Sequence, residues 1–176
     1  MKLEVTNLIP NPVEILGSKL LVFLPGENKH YKDNLIRFKY DGQKSKIVQS
    51  QTLLDILSGK EELNGIIFLG GEPFDAPLVL SIVGGHAKKF GKMVILVTGH
   101  TFEELCDMDK PDIDSLLDVC DVLYDGEYIP ELDEGKGLGS STNQRIIDVQ
   151  KSLWSDRVVL YDHFIDPHRP WVESQE

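Results

Sequence analysis

The chain has 176 residues, 41% hydrophobic and 27% charged, with 29 acidic against 18 basic residues and a net charge of −11. This is enough for one domain, 1–176, with a real core. The charge excludes a general nucleic-acid binder, whose phosphate contacts need a cationic surface, but leaves room for a nucleotide or other small anion at one local site. No apolar run reaches the roughly 18 residues of a membrane span, and the opening MKLEVTNLIPNP lacks the apolar core of a secretion signal, so a cytoplasmic protein is expected.

Residues 19–25, KLLVFLP, form an apolar run stopped by Pro-Gly and read as a buried strand. Residues 34–40 and 45–49 flank Asp41-Gly42, a hairpin signal. Ser50 is placed to cap a helix over 51–57, where Leu53, Leu54 and Leu57 keep helical spacing. GIIFL at 65–69 is a second buried strand, a helix follows near 76–90, and Gly91 stops it. MVILV at 93–97 is a third strand. Thr101 with Glu104 makes a capping box for the next helix, and Asp112 or Asp114 opens another helical turn. DVLY at 121–124 is a fourth short strand. Residues 131–139 read as an acidic, glycine-rich mobile loop, 146–153 as helix or strand, 158–161 as a final strand and 166–176 as a loose tail.

Strand and helix alternate, and each strand is a continuous apolar run, the pattern of an α/β protein with a largely parallel sheet covered on both faces. In such sheets ligands sit beyond the carboxyl ends of the strands. Four polar, glycine-bearing exits define that rim: FLPGENKHYKDN at 23–34, Gly70-Gly71-Glu72-Pro73, Thr98-Gly99-His100 and Asp125-Gly126.

Gly70 and Gly71 lack a Cβ and let a ligand approach the backbone, while Glu72 adds an acceptor for a cation; a tight strand-to-helix turn explains the same residues. In GSSTNQR at 139–145, Arg145 suits a bidentate grip on carboxylate or phosphate, or equally a surface ion pair beside a capping turn. His30, His86, His100, His163 and His168 are scattered without metal-ligand spacing, and Cys106 and Cys120, 14 apart, make no zinc motif and read as plain thiols. There is no nucleophile elbow and no P-loop.

Four segments together resemble the activating proteins of anaerobic (class III) ribonucleotide reductase, within the radical S-adenosylmethionine superfamily. They are GIIFLGGEPF, VTGHTFEEL, DVLYDGEYIPEL and GSSTNQRIIDV, the last with Thr142 inserted. The resemblance runs in order from about residue 15 to residue 150, within a core expected over about 15–165. It implies a partial (β/α) barrel and S-adenosylmethionine with its methionyl amine near Gly70, Gly71, Glu72 and Pro73; Thr98, His100, Asp125 and Arg145 of the same rim complete the candidate binding residues. It also implies a [4Fe-4S] cluster on three cysteines in the pattern G-C-N-x-x-C-x-x-C, and a reductase partner from which a glycine hydrogen is abstracted.

That pattern falls without a gap on residues 26–34, and the cysteine positions are held by Glu27, Tyr31 and Asn34. Iron–sulfur clusters need soft thiolates, so no [4Fe-4S] cluster and no radical chemistry are expected. The resulting expectation is a pseudoenzyme that binds a small ligand, S-adenosylmethionine or a nucleotide, or a protein partner such as a ribonucleotide reductase. The alternatives are an active activase with an unconventional cluster, a hard-metal site of Glu27, His30 and Asp33, and an enzyme doing cluster-free chemistry with Glu72, His100, Asp125 and Arg145.

Overall fold

A computed structural model describes residues 1–14, 18–27, 44–135 and 138–162. Its strands are β1 (Lys2–Val5), β2 (Asn7–Glu14), β3 (Ser18–Leu24), β4 (Lys46–Gln49), β5 (Gly65–Gly70), β6 (Met93–Val97), β7 (Val122–Asp125) and β8 (Arg145–Asp148). Its helices are α1 (Ser50–Gly59), α2 (Pro77–Lys89), α3 (Phe102–Asp107), α4 (Pro111–Val119) and α5 (Val149–Ser155). No helix among the described residues is long and apolar enough to cross a membrane.

One sheet runs β2-β3-β5-β6-β7-β8. The four inner strands are parallel, and the edges β2 and β8 are antiparallel. The expected largely parallel α/β sheet is thus found. The parallel strands follow one another in a single direction across the sheet. With right-handed crossovers, that order places every connecting helix on the same face. Accordingly, α1 through α5 bury their apolar residues with Leu20, Val22, Ile66, Phe68, Val94, Leu96 and Leu123. The opposite face carries Leu21, Phe23, Ile67, Leu69, Ile95, Val97, Val122 and Tyr124, with Leu138 packed on it. Both faces are covered, which is why β5 is apolar at every turn of the pleat between its glycines. Each fully buried aliphatic side chain is worth about 1.5–3 kcal/mol relative to exposure.

Local signals account for most boundaries. The Glu104 amide donates to Thr101 Oγ1 at 3.2 Å and the Thr101 amide to Glu104 Oε2 at 2.8 Å, the expected capping box. Gly91 ends α2 at φ +67°. Pro111 opens α4, with Asp112 and Asp114 in its first turn at the positive end of the helix dipole.

Other boundaries depart from expectation. Ser50 is the first helical residue rather than the cap, which falls on Gln49 without a side-chain bond. Strand β4 pairs with β1, Lys2 opposite Gln49; the other half of the expected hairpin, 34–40, lies outside the described residues. Strand β2 holds Pro10 and Pro12 and carries no strand signal of its own; among the described residues it is an edge that pairs with β3 alone and needs no donors on its outer side. The 146–153 segment resolves into the end of β8 followed by α5. The expected strand at 158–161 is a single bridge, Leu160 to Ile147. Within 131–139, Asp133 bridges Ser141 and the Glu134 amide donates to the Ser140 carbonyl at 2.9 Å, so much of this segment is tied down. The tail expected at 166–176 lies outside the described residues.

One buried cation interrupts the second face. Lys19 shares its side of β3 with Leu21 and Phe23, is fully buried, and donates from Nζ to Asn64 Oδ1. Its stem lies over Gly65, where a Cβ would fall 2.9 Å from Lys19 Cδ. Burial lowers its pKa to about 8 from the ordinary 10.5. Between those values the unfolded chain holds more protons at this site than the folded one, so Lys19 makes stability rise from pH 8 to pH 10.5. In urea titrations Lys19→Met is expected to flatten that rise; an unchanged slope would assign it to another group.

Candidate functional site

The four exits meet at the carboxyl ends of β3, β5, β6 and β7, and hydrogen bonds join each to the next. Gly71 donates its amide to the Leu24 carbonyl at 3.0 Å. A Cβ on Gly71 would fall 1.8 Å from the Pro25 carbonyl oxygen, so only glycine fits where the exits of β3 and β5 pass each other. Gly70 turns the chain there at φ +93°. Pro73 then begins a 3₁₀ turn, Pro73–Asp75.

Glu72 links the exit of β5 to that of β6. Its Oε1 accepts from the Phe74 amide at 3.1 Å and from Thr98 Oγ1 at 2.8 Å, and its Oε2 accepts from the Gly99 amide at 3.1 Å. Thr98 Oγ1 in turn accepts from the His100 amide at 3.1 Å, and the His100 carbonyl accepts from the Gly126 amide at 2.9 Å, reaching the exit of β7.

Asp125 closes the series. It is 1% exposed. Its carboxylate accepts from the Phe102 amide at the start of α3 at 2.9 Å, and from Arg145 Nε at 3.1 Å and Nη2. The other edge of the Arg145 guanidinium pairs with Glu103, Nη1 to Oε1 at 3.0 Å and Nη2 to Oε2 at 2.6 Å. The Arg145 hydrogen bond holds the Glu103 carboxyl down at about 2, and Glu103 and Asp125 push the arginine up. The preceding donors of GSSTNQR anchor the β7 exit: Gln144 Nε2 donates to the Gly126 carbonyl at 2.9 Å and Asn143 Nδ2 to the Glu127 carbonyl at 2.8 Å.

Above these bonds lies an open cleft of about 490 Å³. Its walls include Glu27, Glu72, Asp75, Glu104 and Glu127, with His100 the basic side chain among them. His100 Nδ1 stands 3.9 Å from Glu104 Oε2. The structure therefore brings all eight expected rim residues to one end of the sheet but divides their work. Glu72 and His100 face the cleft. Asp125 and Arg145 are turned to each other and to α3, and Thr98, Gly70, Gly71 and Pro73 form the turns behind. Asp75, Glu104 and Glu127 were missed as site residues; each lies within a few positions of an exit, the signal that would have found them. Of the three positions aligned with cluster ligands, Glu27 lines the cleft, while Tyr31 and Asn34 lie outside the described residues, as do His30 and Asp33.

Four parallel strands between antiparallel edges, with helices on one face and a cleft at the carboxyl rim, make an α/β scaffold whose candidate site lies at the strand exits. The chain belongs to the family described as the 4Fe-4S single cluster domain, matched over residues 17–147, an iron–sulfur family of radical S-adenosylmethionine type. No curated protein matches the chain.

The donors in this chain do not fit the cluster that the family's description names. It has two cysteines. Cys120 is fully buried just before β7, at the opposite end of that strand from the cleft, its thiol directed to the Val122 carbonyl at 3.2 Å. Cys106 is exposed on α3, facing α5 rather than the cleft. Burial raises both thiols above their ordinary pKa, against the thiolate form that iron requires. Among the described residues no group of three or more His, Cys, Asp or Glu is arranged to hold a metal.

Gly71→Ala is expected to cost about 3 kcal/mol in chemical denaturation, because backbone must move to admit the methyl group. Arg145→Met strands the buried Asp125 carboxylate and is expected to cost a similar amount, about 3 kcal/mol. Glu103's share is present above its ordinary value of 4.5 and lost as pH falls towards 2. The difference between wild type and Arg145→Met should therefore narrow over that window.

Proposed function

We propose that the chain is a cluster-free relative of the anaerobic ribonucleotide reductase activating proteins. In this reading it is a pseudoenzyme that keeps a partial-barrel scaffold of the radical S-adenosylmethionine type and binds a small ligand at the rim. The observation that carries the proposal is the replacement of thiolate by carboxylate at the cleft: Glu27 stands where the resemblance expects the first cysteine, and neither cysteine in the chain faces that space. Without a thiolate-held cluster there is no electron for cleaving a sulfonium bond, so the expected role is binding.

Electrostatics discriminates between the two ligand classes. S-adenosylmethionine carries a sulfonium and an ammonium, whereas a nucleotide brings phosphates. The acidic lining of the cleft among the described residues favours the first over the second. The rim turn at Gly70-Gly71 supplies close backbone approach, and Glu72, held by three donors, presents a fixed negative wall. A protein partner, a ribonucleotide reductase among the candidates, belongs to the same proposal, with the bound ligand or the rim itself as the surface presented.

A thermal-shift series tests the ligand. S-adenosylmethionine is expected to raise the melting temperature, S-adenosylhomocysteine, which lacks the sulfonium charge, to raise it less, and ATP to leave it unchanged. Glu27→Gln should weaken S-adenosylmethionine by up to about fivefold, the worth of one exposed charge pair. No shift with any of them would remove the small-ligand reading and leave partner binding. Anaerobic reconstitution with iron and sulfide tests the lost cluster: the protein should stay colourless, and a brown protein with stoichiometric iron would sink the proposal.

A further inference from the structure

A second cavity lies away from the rim, on the outer side of the helical layer. It has a volume of about 340 Å³ and runs between α3 and α5. Phe102, Leu153 and Val158 give it an apolar floor and side, and Cys106 opens into it. Next to Leu153 on α5 is Trp154, 90% exposed. A tryptophan left almost wholly in water, one position along α5 from a groove-lining leucine, is the kind of side chain that anchors interfaces.

The groove is also anionic. Asp107, Glu103 and Asp156 line it, with Arg157 the cation among them. The Cys106 thiol is pushed up by burial and then by the carboxylates of Asp107, Asp114, Glu103 and Asp156. Glu103 is neutralised by Arg145, and of the lining charges Asp107 and Asp156 remain against Arg157. The flanking stretch 101–121 holds eight acids and a single lysine.

We infer that the α3–α5 groove docks a cationic polypeptide segment of a partner protein, seated by apolar side chains against Phe102, Leu153 and Trp154 and held by the surrounding carboxylates. Charge complementarity selects this occupant. A second copy of a chain with net charge −11 repels the surface, and nucleic acid and anionic membranes carry its own sign. The groove is separate from the rim cleft, so it survives or falls independently of any ligand there.

Fluorescence anisotropy of a labelled amphipathic Lys/Leu peptide, titrated with the full chain, tests the inference. Binding should weaken steeply with salt, and the matched Glu/Leu and Lys/Ser peptides should bind at least about tenfold more weakly, since both charge and apolar anchors are needed. Trp154→Ala should lose about tenfold without altering the melting temperature, because the side chain is exposed. Asp156→Asn keeps a residue that tolerates the left-handed backbone at φ +53° and should lose up to about fivefold through its charge. The inference is overturned by no binding of the Lys/Leu peptide, by equal binding of Lys/Ser, or by an unaltered Trp154→Ala. Self-association that Trp154→Ala abolishes would give the groove to a second copy. A gain in peptide affinity on Trp171→Ala would give it to the chain's own C-terminal segment. Either result overturns the inference.

Discussion

Three hydrogen bonds converge on the Glu72 carboxylate, and the shape of the rim depends on them. They fix the exit of β5 against that of β6. From there the contacts run on in both directions: Gly71 to Leu24 on one side, His100 to Gly126 on the other, and Asp125 to Phe102 and Arg145 at the end. The result is a belt that crosses the carboxyl ends of all four parallel strands. Every link pairs a group that would otherwise be a half-buried polar atom without a partner, which is costly to leave unmade.

The belt also explains the electrostatics. Two of its acceptors, Glu72 and Asp125, are carboxylates, which take up amides at the strand exits. Asp125 is compensated by a guanidinium, which is why it sits fully buried. The carboxylates of Glu27, Asp75 and Glu127, and of Glu104 in the first turn of α3, line the cleft, with His100 the basic side chain among the described lining residues. Glu72 is matched by fixed donors and Asp125 by an amide and one arginine.

Much of the fold is legible in single segments. GIIFL and MVILV are apolar enough to be strands wherever they lie, and Thr101 with Glu104 caps α3 by rules that act over three residues. Strand β2 is not legible, because its prolines argue against a strand locally and only its edge position, a property of the whole sheet, permits it. The site divides in the same way. Glycine and proline mark each exit in the sequence. Which carboxylates point outward does not show there, because Thr98 reaches Glu72 across 26 residues and Arg145 reaches Asp125 across 20. Arg145 looked available for an anion until β8 was placed beside β7, where Asp125 takes up one edge of its guanidinium. Cys106 and Cys120 read alike in sequence, and only the helix layer separates the exposed thiol from the buried one.

A rim joined by its own side chains and amides has a bearing on how such a protein can change over generations. In a domain whose loops are organised by a metal cluster, each lost ligand threatens the fold itself. Here the links described between the strand exits are made by Gly71, Glu72, Thr98, His100, Asp125 and Arg145, and no thiol is among them. Such an architecture can shed an inorganic cofactor while its scaffold persists, leaving the vacated ground open to selection for something else.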